Sequence, residues 1–60
     1  NITTMKRDIK YIRSLQPQEE IYDIEVNFKH FQTLEEYDSN KEYCLIFDHE
    51  FGCWDVYEIL

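Results

Sequence analysis

Glycine, proline and cysteine are scarce in this sequence, and alanine is missing altogether. The 60 residues include one glycine (Gly52), one proline (Pro17) and two cysteines (Cys44 and Cys53). This composition excludes a flexible linker and a low-complexity chain, and a lone glycine excludes a glycine-rich phosphate-binding loop. Sixty residues make at most one domain, and aromatic residues, 17% of the chain, supply large side chains for a core. We therefore expect residues 1–60 to fold as a single small domain.

Long apolar runs are missing as well. No stretch approaches the ~18 to 20 apolar residues that a membrane-spanning helix requires, and no signal-peptide pattern is seen. The cysteines fit reduced thiols in the cytoplasm. We therefore expect a cytoplasmic protein that does not insert into a membrane.

Positive charge is scarce after residue 16. Residues 1–16 carry four basic side chains and one acid, a balance of +3, whereas residues 17–60 carry twelve acids and two lysines, a balance of −10. An acidic body repels a nucleic-acid backbone, even though the basic segment with Tyr11 offers an alternative site for one. We expect a protein partner with a basic surface and no direct binding of nucleic acid.

Residues 3–16 have apolar side chains at spacings of three and four, which predicts an amphipathic helix. Thr3 or Thr4 caps this helix and Pro17 ends it. Its basic side chains form either a solvated face or a contact with the acidic body of a second copy. The apolar positions are Met5, Ile9, Ile12 and Leu15.

Residues 20–31 alternate between apolar and polar side chains, which predicts a half-buried strand. Residues 32–40 break the alternation. Thr33 and Glu36 have capping-box spacing for one helical turn, and residues 38–40 form a turn. The apolar side of the predicted strand consists of Tyr22, Ile24, Val26 and Phe28.

Residues 41–60 alternate on both sides of Gly52, which predicts a hairpin. A four-residue loop, residues 49–52 with Gly52 left-handed, pairs Asp48 with Cys53. In this register the apolar residues of both strands lie on one side of the sheet. They are Tyr43, Leu45 and Phe47 in the first strand and Trp54, Val56 and Leu60 in the second.

The predicted fold class is α+β, with the N-terminal helix packed on a small, mainly antiparallel three-stranded sheet. The predicted order is helix, strand, short helical turn, strand, strand. The face that the helix covers consists of Tyr22, Ile24, Val26, Phe28, Leu45, Phe47, Trp54 and Val56.

The two cysteines raise the question of a disulfide or a metal site. In the predicted hairpin Cys44 faces Tyr57, which leaves the cysteines ~13 Å apart, whereas a disulfide needs Cα atoms within about 7 Å. A disulfide requires a shifted register in which Leu45 and Phe47 lie across from Gly52 and Glu50. The apolar residues of the two strands then no longer share one core face. A metal site at Cys44, His49 and Cys53 lacks closely spaced ligand pairs. We predict no metal and no cofactor.

No catalytic constellation is visible in the sequence. Nucleophilic catalysis needs a base within hydrogen-bond reach of the nucleophile and a pocket that excludes water. A chain of 60 residues has little material for such a pocket beside a core. We predict a non-enzymatic protein.

The second face of the predicted hairpin is half apolar, where a solvated face is usually polar. Since one helix cannot cover both faces of a sheet, this strip predicts a surface for a partner or for a second copy, and we expect a homo-oligomer. The alternative is a set of scattered exposed side chains without a role. The apolar members are Cys44, Ile46, Tyr57 and Ile59.

Acidic side chains form a second candidate binding set. If an edge strand and the short helical turn bring them together, they mimic nucleic acid and occupy a basic groove on a DNA-handling protein. The alternative is that they only maintain solubility. The set consists of Glu19, Glu20, Asp23, Glu25, Glu35, Glu36 and Asp38.

The small size, high acidity and missing catalytic constellation resemble those of inhibitors that phages and mobile elements make against host enzymes or defence systems. The resemblance is to a class, since no motif matches a specific family, and it implies action in the host cytoplasm. We predict an acidic inhibitor that occupies a basic or mixed surface of a partner protein. The alternative is a small self-associating structural or regulatory module.

Overall fold

The computed structural model describes residues 8–60, which form one helix and a three-stranded antiparallel sheet. The elements are β1 (Ile9–Ser14), α1 (Ile24–Phe31), β2 (Glu42–Asp48) and β3 (Cys53–Ile59). The strand order in the sheet is β1-β3-β2, so β3 is central. The predicted α+β class is confirmed. At eight residues α1 is too short to cross a membrane, and residues 8–60 hold no longer apolar helix.

The hairpin of β2 and β3 has the predicted register. Asp48 pairs with Cys53, and Cys44 pairs with Tyr57. Both cysteines are free thiols. Because the position opposite Cys53 lies four residues along β2 from Cys44, the register holds the two cysteine positions ~13 Å apart along the sheet.

The hairpin loop also matches the prediction. Gly52 has a φ of 69°, the only positive φ among residues 8–60, and its N–H donates to the carbonyl of Asp48 at 2.7 Å. The carboxylate of Asp48 accepts from the N–H groups of Glu50 and Phe51. A left-handed glycine and an aspartate therefore close the loop.

The predicted helix at residues 3–16 is wrong within the described part, because residues 9–14 form β1; residues 3–7 of that prediction lie outside it. β1 pairs with β3 and has a bulge between Tyr11 and Arg13. The extra residue allows Ile12 and Leu15 both to pack in the core. A bulged strand thus acquires the three-residue spacing of a helix, which explains the wrong prediction.

The predicted strand at residues 20–31 is also wrong, because residues 24–31 form α1. Asp23 caps this helix, and its Oδ1 accepts from the N–H groups of Glu25 (3.0 Å) and Val26 (3.3 Å). The buried positions of α1 are Asn27 and Phe31, which are four residues apart as on one helical face. The N-cap and the helical spacing of the buried residues favour a helix over the strand that the alternation predicts.

Asn27 fastens the start of α1 to the segment before it. The alternation predicted a solvated side chain, yet Asn27 is 0% exposed. Its Nδ2 donates to the carbonyl oxygens of Asp23 (2.8 Å), Glu20 (3.2 Å) and Ile21 (3.4 Å). Its Oδ1 has no hydrogen-bond partner within the described chain.

Turns connect α1 to β2. The hydroxyl of Thr33 donates to the carbonyl of His30 at 2.7 Å, so Thr33 closes the end of α1 and does not cap a new helical turn with Glu36. The turn predicted at residues 38–40 is confirmed, because the N–H of Lys41 donates to the carbonyl of Asp38 at 3.0 Å.

The core lies between α1 with its following turns and one face of the sheet. Leu15, Phe31 and Val56 are its buried centre. Of the predicted core residues, Tyr22 is 78% exposed, and Ile24 and Leu60 are exposed as well. Tyr22 precedes α1, Ile24 is its first residue and Leu60 follows β3, so all three lie at the ends of elements. The side chains packed around the centre are Ile12, Phe28, Leu34, Tyr37, Tyr43, Leu45 and Trp54.

Candidate partner-binding surface

The sheet has one face against α1 and a second face that no other element of residues 8–60 covers, here termed the open face. Side chains alternate along each strand, and residues paired across strands point to the same face. The open face consists of Ile9, Tyr11 and Ser14 of β1, Glu42, Cys44, Ile46 and Asp48 of β2, and Cys53, Asp55, Tyr57 and Ile59 of β3.

Apolar side chains form one continuous part of the open face. Tyr57 lies between Tyr11 and Cys44 in one row across the sheet, and the two tyrosine rings are 5.7 Å apart in a T-shaped arrangement. Ile9 pairs with Ile59 in the neighbouring row. A contiguous exposed apolar patch on a small domain is typical of an interaction site. Its most exposed members are Ile9 (49%), Tyr11 (53%) and Ile46 (49%).

A chain of hydroxyl groups orients Tyr11. Ser14 donates to Oδ1 of Asp55 at 2.6 Å, and the Tyr11 hydroxyl lies 2.8 Å from the Ser14 Oγ. Since the single hydroxyl proton of Ser14 is used on Asp55, the Tyr11 hydroxyl is the donor to Ser14. The Tyr11 ring is therefore fixed at both its face and its tip.

The charged strand positions of the open face are all acidic. They are Glu42, Asp48 and Asp55. By contrast, Lys10 and Arg13 pair with Glu58 and Val56 and so lie on the other face. The open face therefore combines apolar area with negative charge, which favours a surface that is apolar and basic.

Four sequence-predicted site residues lie together as expected, since Cys44, Ile46, Tyr57 and Ile59 all belong to the open face. Their binding role stays a prediction. Ile9 and Tyr11 also belong to the open face, although the three- and four-residue spacing of residues 3–16 predicts a helix there. The run of β-branched and aromatic residues in β1 was the available signal for a strand.

The acidic set does not form one cluster. Its first four residues precede or begin α1, and its last three follow the end of α1. A helix of eight residues separates the two groups by ~12 Å. Both groups lie on the helix side of the sheet, away from the open face, so a flat partner surface contacts one region or the other.

Three of these acids make local bonds. Asp23 caps α1, Glu36 pairs with Arg13 at 3.2 Å, and Asp38 accepts from the N–H of Asn40 at 2.8 Å. The remaining acids of the set, Glu19, Glu20, Glu25 and Glu35, are exposed. Their contribution to binding stays a prediction.

Within residues 8–60, no group of three or more His, Cys, Asp or Glu side chains is arranged to hold a metal ion. Cys44 and Cys53 both lie on the open face, but Cys53 pairs with Asp48, which is four residues along β2 from Cys44.

Comparisons with protein-family models, with curated proteins and with solved structures found no match for this chain.

Proposed function

We propose that this chain is a non-enzymatic protein-binding module whose open face occupies a mixed apolar and basic surface of a partner protein and inhibits that partner by covering it. One observation carries the proposal. Ile9, Tyr11 and Ile46 are exposed on a face whose charged strand positions are all acidic. Apolar area provides the binding free energy, and the acids select the partner.

Charge favours a different protein over a second copy as the occupant. Two open faces packed together enclose the acids of both copies, Asp48 and Asp55 among them, and like charges in an interface are unfavourable. The chain also carries a net charge of −7, so two copies repel each other at a distance. Neither repulsion opposes a partner surface that carries lysine or arginine around an apolar centre.

The size of the open face limits the interface. Two of its three strands have seven residues, so the flat area is roughly 23 Å by 14 Å, or ~330 Å². A standard interface buries about 800 Å² on each partner. The partner must therefore also reach the rim of the sheet, where the hairpin loop presents the exposed side chain of Phe51.

The acids at the two ends of α1 support binding from a distance. Because they lie on the opposite side of the domain, salt screens them over about a Debye length, ~8 Å at physiological ionic strength, and their field reaches a partner at the open face mainly at low salt. Such charges mainly raise the association rate of a basic partner. Reversing Glu35, Glu36 and Asp38 should slow association and flatten its salt dependence, with little effect on dissociation.

The experiment compares the wild-type chain with Ile46→Asp and Tyr22→Asp as baits. Both variants introduce the same charge at an exposed position, but Tyr22 lies outside the open face. The three baits are incubated with a lysate of the native host. Each protein that the wild-type chain captures is purified and titrated with all three chains. We expect Ile46→Asp to weaken binding by about tenfold or more and Tyr22→Asp to leave it unchanged. Equal weakening by both variants would contradict a role for the open face.

Self-association is tested separately by light scattering over a range of protein concentrations. A constant monomer mass is expected, because the acids of the open face oppose the homo-oligomer that its apolar strip alone predicts. A dimer that Ile46→Asp dissociates would favour the self-associating module and overturn the proposal. Phage origin, nucleic-acid mimicry and cytoplasmic location stay predictions.

A further inference from the structure

A groove of about 510 Å³ lies between α1 and β2, on the side of the sheet opposite the open face. Its volume is within the ~300 to 1,000 Å³ of sites that hold small ligands or side chains. The walls are largely apolar, with Glu25 and Lys29 as charged members. The apolar walls are Ile24 and Phe28 of the helix and Tyr43 and Leu45 of the strand.

The strand that borders this groove is at the edge of the sheet. The order β1-β3-β2 gives β2 a neighbour on one side only among residues 8–60. An edge strand presents main-chain N–H and C=O groups that are available to another strand.

Two hydrogen bonds identify which residues of β2 present these groups. Leu15 donates its N–H to the carbonyl of Trp54, and Leu60 donates its N–H to the carbonyl of Asp8. Even-numbered residues of β3 thus point their main-chain groups toward β1. Because these directions alternate along an antiparallel strand, the odd-numbered residues of β3 point theirs toward β2.

The register then assigns the main-chain directions within β2. The residues paired with Cys53, Asp55, Tyr57 and Ile59 of β3 point toward β3, and they are Asp48, Ile46, Cys44 and Glu42. Tyr43, Leu45 and Phe47 alternate with them and therefore direct their N–H and C=O groups away from the sheet. Tyr43 and Leu45 also line the groove with their side chains.

We propose that the edge of β2 binds an extended peptide segment of another protein, which adds to the sheet as a fourth strand and inserts an apolar side chain into the groove. Main-chain bonds to Tyr43, Leu45 and Phe47 provide affinity, and the groove between Phe28 and Leu45 selects the side chain. This site differs from the open face, because it uses the edge of the sheet and its opposite side. Cys44, which also lines the groove, belongs to both.

Charge indicates the nature of the peptide. Residues 17–60 carry a balance of −10, so a peptide with lysine or arginine beside its apolar residue is attracted and an acidic one is repelled. The edge of a second copy is disfavoured. Its β2 edge belongs to an equally acidic chain, so the same repulsion opposes the pairing of two β2 strands.

The experiment begins with a display library of random peptides ~8 residues long, the length of a strand. The tightest peptide is synthesised and added to the isotope-labelled chain, and amide hydrogen exchange is followed by NMR. We expect new protection at the amides of Tyr43, Leu45 and Phe47, and little change at Cys44 and Ile46, whose amides already point to β3. Binding without new protection at the first three amides would overturn the proposal, as would a library that yields no binder.

Methylation of the peptide main chain provides an independent readout. N-methyl groups at alternate residues block the donors on one edge of the peptide. Strand addition predicts that one set of alternate positions weakens binding by about tenfold per bonded amide while the other set is tolerated. Equal effects of both sets would contradict it.

Protein variants separate the groove from the open face. Ile24→Ser removes an exposed apolar wall of the groove and should weaken peptide binding by about tenfold. Ile9→Asp alters the open face at β1, the far edge of the sheet from β2. It should weaken partner binding but leave peptide binding unchanged, so either proposal can fail while the other stands. A peptide-free dimer with protected Tyr43, Leu45 and Phe47 amides would assign the edge to a second copy and overturn the proposed occupant.

Discussion

The indole N–H of Trp54 donates a hydrogen bond of 2.6 Å to the carbonyl oxygen of Ile21. Trp54 belongs to the central strand, whereas Ile21 lies in the segment before α1. The same carbonyl accepts from Nδ2 of Asn27 at 3.4 Å. One main-chain oxygen thus connects the sheet to the helix, and it orients α1 over the core face.

The first prediction concerns this bond. Trp54→Phe removes the donor but keeps a ring against Phe47, whose centroid lies 5.2 Å from that of Trp54. We expect the free energy of unfolding to fall by about 1–2 kcal/mol, because the Ile21 carbonyl loses a partly buried partner. Urea unfolding followed by circular dichroism measures the change. Tyr11→Phe, which removes an exposed hydrogen bond, should cost less than about 0.5 kcal/mol; equal losses would contradict the role of Ile21.

The second prediction concerns the buried amide of Asn27. Asn27→Asp places a carboxylate against the carbonyls of Glu20, Ile21 and Asp23, so the charged form is strongly disfavoured in the folded chain. We expect a loss of about 3–5 kcal/mol near neutral pH. Burial raises the pKa of this carboxyl in the folded chain, so the deficit relative to wild type should shrink as the pH falls from neutral to about 4, the pKa of an unfolded aspartate, and stay constant below it.

Unfolding measured for both chains at each pH separates this effect from the general acid response. Asn27→Ala serves as a control, because it also removes the donor but adds no charge. A deficit of Asn27→Asp that does not change with pH would show that the carboxylate reaches solvent.

The third prediction concerns the hairpin loop. Gly52 has a φ of 69°, and a Cβ at this position meets no atom within 4 Å. Gly52→Ala should therefore destabilise the chain through the backbone alone, by about 1–2 kcal/mol. Gly52→Asn should cost less, because asparagine tolerates the left-handed conformation. Thermal unfolding of both variants measures the order, and an alanine variant as stable as the asparagine variant would contradict it.

The fourth prediction concerns the ion pair of Arg13 and Glu36, which joins β1 to the turns after α1 at 3.2 Å. Both side chains are partly exposed, at 32% and 39%, so solvent screens the attraction. A double-mutant cycle with Arg13→Gln and Glu36→Gln should give a coupling of about 0.2–1 kcal/mol that decreases with added salt. A salt-independent coupling would indicate a hydrogen-bonded and not a Coulombic contribution.

The hairpin was predictable because its signals are local. Gly52 specifies the left-handed position, and alternation on both sides of the loop leaves one register in which Leu45 and Val56 share the core face. The same reasoning placed Cys44 and Tyr57 opposite each other on the second face. These residues are close in sequence, so no distant contact was needed to decide their pairing.

The first two elements were not predictable in the same way. The spacing of Ile12 and Leu15 is shared by a helix and a bulged strand, and only the pairing of β1 with β3 distinguishes the two. The alternation of apolar and polar residues around Asn27 predicts a strand, yet the same residues form a helix capped by Asp23. Bonds from Asn27 and Trp54 to one carbonyl stabilise the helix against the sheet, and they join residues that local patterns do not relate.

By itself, the sequence determined the hairpin with its loop and register and the acidic character of residues 17–60, since composition and short-range alternation suffice for both. The predicted α+β class is correct, although its helix and its third strand were assigned to each other's segments. Only the tertiary structure decided that residues 9–14 form the third strand and residues 24–31 the helix. It also decided that Ile9 and Tyr11 extend the open face and that β2, beside a groove under α1, is left at an edge. Those features depend on contacts between segments distant in the chain, where burial and hydrogen bonding outweigh the local preference of each segment.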